Sequence, residues 1–189
     1  MREIDHQLID NEKKRLRSLL KEQKKLFTSH ERDVQSKNII QQIEHHPAFV
    51  SANTVMAYWA LKDEVDLSEL ILKWTSSKKF LLPCVKGDEL EIRVFEGLNS
   101  LATGSSFGIQ EPNGEIFINY TEIDLILVPG VAFDIENNRL GRGKAYYDKF
   151  LPQTKAIKIG ICFDFQLFDT VPSSNLDIKM DDVIYYNLK

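Results

Sequence analysis

Apolar residues at Ile4, Leu8, Ile9, Leu16, Leu19, Leu20 and Phe27 recur at a helical period, with charged and amide residues between them. This predicts a long amphipathic helix over about 3–27. Ser29 stands where an N-cap would, Glu31 and Asp33 suit a first turn, and Val34, Ile39, Ile40 and Ile43 carry a second helix over about 30–46, stopped at His45-His46-Pro47. Residues 54–60 read as a buried strand. Asp66 with Glu69 then resembles a capping box that opens a helix running to about Ser76. Strands are expected over 79–84 and 90–95, with Gly87, Gly97, Gly104 and Gly108 punctuating the loops. The nearly continuous apolar run over 123–128 is the pattern of a central parallel strand covered on both faces, and Pro129-Gly130 ends it. A short extension over 131–134, a loop over 135–142 and a helix over about 143–150 follow, with last strands over 156–162 and 182–186. Helices alternating with strands predict a single α/β domain, residues 1–189, with a largely parallel sheet flanked by helices and the two N-terminal helices packed on it.

Composition adds bounds to this picture. With 43% apolar and 28% charged residues the chain is of ordinary globular make-up, and at 189 residues its core needs no disulfide or structural metal. Cys84 and Cys162 are far apart, each in an apolar run, and read as buried thiols in a reducing compartment. The opening residues lack a cationic-then-apolar leader and no stretch is long and apolar enough for a membrane span, so a cytoplasmic protein is expected. A net charge of -4 excludes a surface that is basic throughout, so any anion site must be local.

Two local concentrations of positive charge stand out. Lys13, Lys14, Arg15, Arg17, Lys21, Lys24 and Lys25 are opposed only by Glu22, and Lys13, Arg17 and Lys21 share one helix face at i, i+4 spacing. Aligned like charges repel, so either solvent or a bound anion must compensate them. The second concentration is RLGRGKAYYD over 139–148, which sets Gly141 and Gly143 among Arg139, Arg142 and Lys144 directly before a predicted helix. Close backbone approach, free N–H groups and cations together make a phosphate cradle. Neither a Walker A loop nor GxGxxG fits, because Asn138, Ala145 and Tyr146 stand at required positions. A tight turn with solvated cations is the plain alternative. Asp148, one turn after Lys144, could hold Mg²⁺ beside phosphates or simply pair with the lysine, and Asp177, Asp181 and Asp182 could supply a second oxygen ligand or a solvated turn. No HExxH pattern occurs, leaving residues suited to positioning and charge neutralisation in phosphoryl transfer.

VPGVAFD over 128–134 followed by NRLGRGKAYYDKFL over 138–151 resembles the motif of the 5-formyltetrahydrofolate cyclo-ligase family, also called methenyltetrahydrofolate synthetase. The resemblance extends to KKRLR over 13–17, YWALKDEV over 58–65, FLLP over 80–83, FGIQEP over 107–112 and MDDVIY over 180–185. It implies ATP- and Mg²⁺-dependent closure of 5-formyltetrahydrofolate to 5,10-methenyltetrahydrofolate, with release of ADP and phosphate, on a fold like that of ribose-5-phosphate isomerases and CoA transferases. By the same resemblance Lys13 and Arg17 would reach ATP, with Arg139, Gly141, Arg142, Gly143, Lys144, Ala145, Tyr146 and Tyr147 wrapping the nucleotide. Arg142 and Lys144 would stabilise charge on the transferred group. Trp59, Glu64 and Tyr146 would contact the folate, although Trp59 alone also reads as a core aromatic. Asp148 and Asp181 would serve Mg²⁺. Ala145 departs from the family's usual glycine and is expected to be helical, where alanine is favourable. A monomer that binds reduced folate and ATP, and neither nucleic acid nor membrane, is expected. Two rivals are a sugar-phosphate isomerase needing no ATP and a nucleic-acid module led by the basic helix.

Overall fold

The computed structural model describes residues 2–103 and 110–187, with side chains from residue 7 onward and, at 103, none. Gly104, Phe107 and Gly108, which entered the loop and motif readings, lie outside the described residues. The chain begins with helices α1 (Arg2–Leu26), α2 (Ser29–His45) and α3 (Pro47–Ser51). Thr28, not Ser29, is the N-cap of α2: its hydroxyl accepts from the Glu31 N–H while the Glu31 carboxylate accepts from the Thr28 N–H, closing a capping box. The second helix does stop at His45, with His46 extended ahead of Pro47. Pro47 itself opens α3, where a missing N–H costs nothing.

Strand β1 (Thr54–Met56) is followed by α4 (Ser68–Trp74), β2 (Lys79–Lys86) and β3 (Glu89–Val94). The expected capping box at Asp66 does not form, since its carboxylate accepts from Ser68 N–H, two residues on. After β4 (Leu101–Thr103) and β5 (Gln110–Pro112) come β6 (Leu125–Pro129), β7 (Ala132–Asp134) and β8 (Arg139–Leu140). Helix α5 (Tyr146–Phe150), β9 (Ile157–Cys162), β10 (Leu167–Phe168) and β11 (Asp182–Tyr185) complete the order.

Six strands form the main sheet in the order β11-β9-β6-β1-β2-β3, and every pairing is parallel except β2 with β3. Fully buried residues alternate across its two faces. Val55, Leu125 and Leu127 meet Ile39, Ile43, Leu70 and Ile71 of the helices on one side. Met56, Ile126 and Val128 meet Phe133, Phe150 and Leu151 on the other. The chain leaves β1 toward β2 on one side and returns through β6 on the other, so the carboxyl ends of β1 and β6 form a topological switch point, where open α/β sheets bind ligands.

Beyond β6 the chain turns back over this end as the β7–β8 hairpin. Its Phe133 ring lies against Gly130 and Gly160 so closely that a β-carbon on either glycine would overlap the ring. Helix α1 lies across this hairpin, packing Leu20 with Val131, Ala132, Leu140 and Val171. Cys84 and Cys162 are both buried, and burial pushes the Cys84 thiol up to about 11. No helix among the described residues is long and apolar enough to cross a membrane.

Candidate active site

At the switch point a cavity of about 190 Å³ opens. One wall comes from the segment after β1, where Tyr58, Trp59, Leu61 and Glu64 line it. A compact turn shapes that segment. The Tyr58 hydroxyl donates to Val65 O at 3.1 Å, Leu61 N–H donates to Glu64 Oε2 at 3.1 Å, and Arg32 of α2 donates to Glu64 O at 3.0 Å. Trp59 stacks on Phe95 at 5.8 Å between ring centroids and remains half-buried with an edge on the cavity. Pro83, Val85 and Leu90 of the β2–β3 ribbon supply an apolar floor.

The opposite wall is the glycine-rich segment, with Arg139, Gly141, Arg142, Lys144, Ala145, Tyr146, Tyr147 and Asp148. Arg139 is 5% exposed, and its Nη2 donates to both Asp148 oxygens at 2.9 Å while its Nη1 reaches Pro129 O at 3.3 Å. The guanidinium also sits 5.5 Å from the centre of the Tyr147 ring. Among the described residues, neither Arg139 Nε nor the Tyr147 hydroxyl has a hydrogen-bond partner, although both are buried. A buried donor without an acceptor costs roughly 1–3 kcal/mol, so both are unsatisfied groups on residues that line the cavity. Burial raises the pKa of the Tyr147 hydroxyl, which keeps it a proton donor.

The backbone of this loop differs from the expectation. Ala145 is left-handed, with φ 54° and ψ 19°, and Gly143 has φ 97°. The helix therefore begins at Tyr146, not near Gly143, and Ala145 is a hinge residue ahead of it. Left-handed backbone at Gly143 and again at Ala145 thus leads the loop into α5. Lys149 N–H closes the first turn on Ala145 O at 3.0 Å.

The inward face of α1 carries cations. Lys13 is buried and donates to Asp177 Oδ1 at 2.8 Å, Arg17 Nε donates to Gly141 O at 2.8 Å, and Lys24 donates to Asp63 Oδ2 at 2.8 Å. The chain's own oxygens thus meet part of the charge alignment. Burial lowers the pKa of Arg17, whose guanidinium also lies against Gly143. Arg17, Lys21, Lys24, Lys25 and Arg142 line an adjoining groove of about 450 Å³, so Arg142 borders both spaces. Arg142 itself donates to Asp63 Oδ1 at 2.7 Å and to Glu64 Oε1 at 2.9 Å.

Asp148 and Asp181 are not brought together around the cavity. Asp181 is exposed and accepts from the Lys158 backbone at 2.7 Å, at the amino end of β9. Asp177 is the C-terminal carboxylate nearer the site: the next residue, Ile178, donates its N–H to Asp148 Oδ1 at 3.4 Å. Spacing in the sequence cannot separate Asp177 from Asp181; only the path of the segment ahead of β11 does. Among the described residues no group of three or more His, Cys, Asp or Glu side chains is placed to hold a metal ion. One or two carboxylates beside a phosphate site suit Mg²⁺ that is bound largely by phosphate oxygens and water.

The sequence profile of the 5-formyltetrahydrofolate cyclo-ligase family matches residues 9–186. A probable 5-formyltetrahydrofolate cyclo-ligase of Schizosaccharomyces pombe is 33% identical, over 91% of this chain and 94% of that protein. The NMR structure of Aquifex aeolicus 5,10-methenyltetrahydrofolate synthetase superimposes with a TM-score of 0.83 at 35% identity, covering 92% of this chain and 89% of that one. The Mycoplasma pneumoniae 5,10-methenyltetrahydrofolate synthetase gives 0.74 at 25% identity, covering 91% and 97%.

Proposed function

Because the chain belongs to the 5-formyltetrahydrofolate cyclo-ligase family, we propose that it closes 5-formyltetrahydrofolate to 5,10-methenyltetrahydrofolate at the expense of ATP. The carrying observation is one cavity with an aromatic and carboxylate wall, Trp59 and Glu64, facing a cationic wall, Arg139, Arg142 and Lys144, with two buried donors lacking acceptors. A flat heteroaromatic ring with N–H groups suits the first wall and phosphates suit the second.

In this reading the N5-formyl oxygen attacks the γ-phosphorus and ADP leaves. N10 then adds to the activated formyl carbon and loses its proton, and the former formyl oxygen departs within phosphate. The chain's part is to align and shield. Trp59 and Tyr146 hold the pterin, Glu64 accepts from its N–H groups, and the apolar floor keeps water from the phosphorylated intermediate. Gly141, Gly143 and Ala145 shape the loop around the nucleotide, and Arg17, Arg139, Arg142 and Lys144 bind phosphate oxygens and meet the charge that develops in transfer. Tyr147 donates its hydroxyl into the same space. Mg²⁺ supplies charge neutralisation on the phosphates, and Asp148 would hold it, with Asp177 supported over Asp181 as the second carboxylate. Lys13, engaged with Asp177, then sits beside the same phosphates.

The test is to mix purified protein with 5-formyltetrahydrofolate, Mg²⁺ and ATP, then follow methenyl absorbance together with ADP release. Both should rise in equal amounts, and neither without the other substrate. Lys144→Met should lower turnover by about 100-fold or more, as loss of one donor to a transition state does, while leaving the unfolding midpoint nearly unchanged. A folded sample that forms no product would overturn the reading. Methenyl product formed without ATP would remove the nucleotide from it.

A further inference from the structure

In the proposed reaction Glu64 and Arg142 serve different substrates, yet the two side chains hold each other. Arg142 Nη2 lies 2.9 Å and Nε 3.2 Å from the same oxygen, Glu64 Oε1. A pterin's N–H donors need that oxygen and phosphates need that guanidinium. Whichever substrate arrives first must open the contact, and the second finds its partner already released. Two ligands that share one opening cost bind with positive cooperativity.

Once parted from Glu64, Arg142 still has Asp63, whose Oδ1 accepts from Nη2 at 2.7 Å. Asp63 is itself held from the other side. Lys24 of α1 donates to its Oδ2 at 2.8 Å and to its carbonyl at 3.0 Å, with only 11% of the Lys24 side chain exposed. Burial pushes the Asp63 carboxyl up, but the bonds from Arg142 and Lys24 outweigh this and hold its pKa below the ordinary value. Asp63 therefore remains an anion. It lines the cationic groove, next in sequence to Glu64 on the cavity wall.

We infer that Asp63 is a positioning residue: it retains Arg142 at the boundary between folate and nucleotide when Glu64 turns to the pterin, and so strengthens the coupling between the two substrates. The inference rests on the cyclo-ligase reading and names which residue joins its two halves. Without Asp63 a guanidinium released from Glu64 disperses into solvent, and the nucleotide must order it anew.

The test measures binding of a β,γ-imido ATP analogue with Mg²⁺, with and without saturating 5-formyltetrahydrofolate, so that no turnover occurs. In the unaltered chain the folate should tighten nucleotide binding by roughly 5-fold or more, the lower end of ordinary coupling between sites. In Asp63→Asn that ratio should fall by about half or more, while folate affinity alone stays close to that of the unaltered chain and the variant still unfolds in one cooperative transition, at a lower midpoint because the ion pairs with Lys24 and Arg142 are gone. Asp63→Glu should restore part of the ratio. An unaltered chain with no tightening, or an Asn variant that keeps it, overturns the inference. So does an Asn variant whose folate affinity falls along with the ratio, since that is the behaviour of a structural residue. Failure of the cyclo-ligase reading is seen separately, as a folded unaltered chain that forms no methenyl product.

Discussion

Ala145 is where the chain accepts strain. A side chain in the left-handed region costs roughly 1–2 kcal/mol relative to ordinary helical backbone, and glycine escapes most of it. With φ 54° at this position, Ala145→Gly should raise stability by about 0.5–1 kcal/mol, read as a higher urea midpoint at unchanged slope. An unchanged or lower midpoint would mean that the extra freedom of glycine in the unfolded chain cancels the relief. The sequence contained the decisive hint, a glycine-rich run in which only this position departs from the family habit, but local propensity pointed to helix. What local propensity omits is tertiary surroundings: Arg139 packs against Gly141 and Arg17 against Gly143 on the approach to Ala145. Tyr147 was legible as a site residue, whereas its unsatisfied hydroxyl was not, because an orphaned donor is a property of a packed interior.

At the scale of elements, α1 works as a strap whose inner stripe is Lys13, Arg17, Leu20 and Lys24. Its helical period was plain, yet the apolar residues that revealed it are not all inside: Leu8 and Leu19 are 59% and 51% exposed. The cations took the inner face because Asp177, Gly141 O and Asp63 await them there, and partners 124 or more residues away for Lys13 and Arg17 leave no trace in local periodicity. Asp177 accepts from Lys13 and from Ser174 N–H and hydroxyl. Burial raises its pKa, but these bonds outweigh it and the net shift is downward. A carboxyl lowered in the folded state contributes stability that is present above its unfolded value near pH 4 and is lost as pH falls through the lower folded value. Asp177→Asn should therefore cost about 1–3 kcal/mol at neutral pH, and the gap from the unaltered chain should close in unfolding curves taken below about pH 4. A gap that persists undiminished in acid would assign the loss to packing instead.

For the whole molecule, a largely parallel sheet follows from strand pattern and alternation, and that much was readable: the apolar run at 123–128 does occupy the interior of the sheet as β6. The β7–β8 hairpin was not readable. Its strands are three and two residues long, too short for any period, and its position depends on Phe133 filling the space that Gly130 and Gly160 leave open. Sheet and site are mechanically joined there, since the same hairpin carries Arg139. Gly160→Ala should force the ring aside, lowering stability by about 1–3 kcal/mol as overpacking does. It should also lower turnover, measured alongside urea unfolding. Lost stability with full activity would show that the hairpin can shift without moving Arg139.

The bond between Lys13 and Asp177 spans 164 positions of the chain. During synthesis, then, α1 finds its anchor only when the segment bearing Asp177, 164 positions later, has followed it. Contacts of such separation form late, because the loop they close must first be ordered. The nucleotide side of the cavity is consequently among the last parts to be assembled. A partly made chain can bury most of its sheet and still present no finished place for a triphosphate.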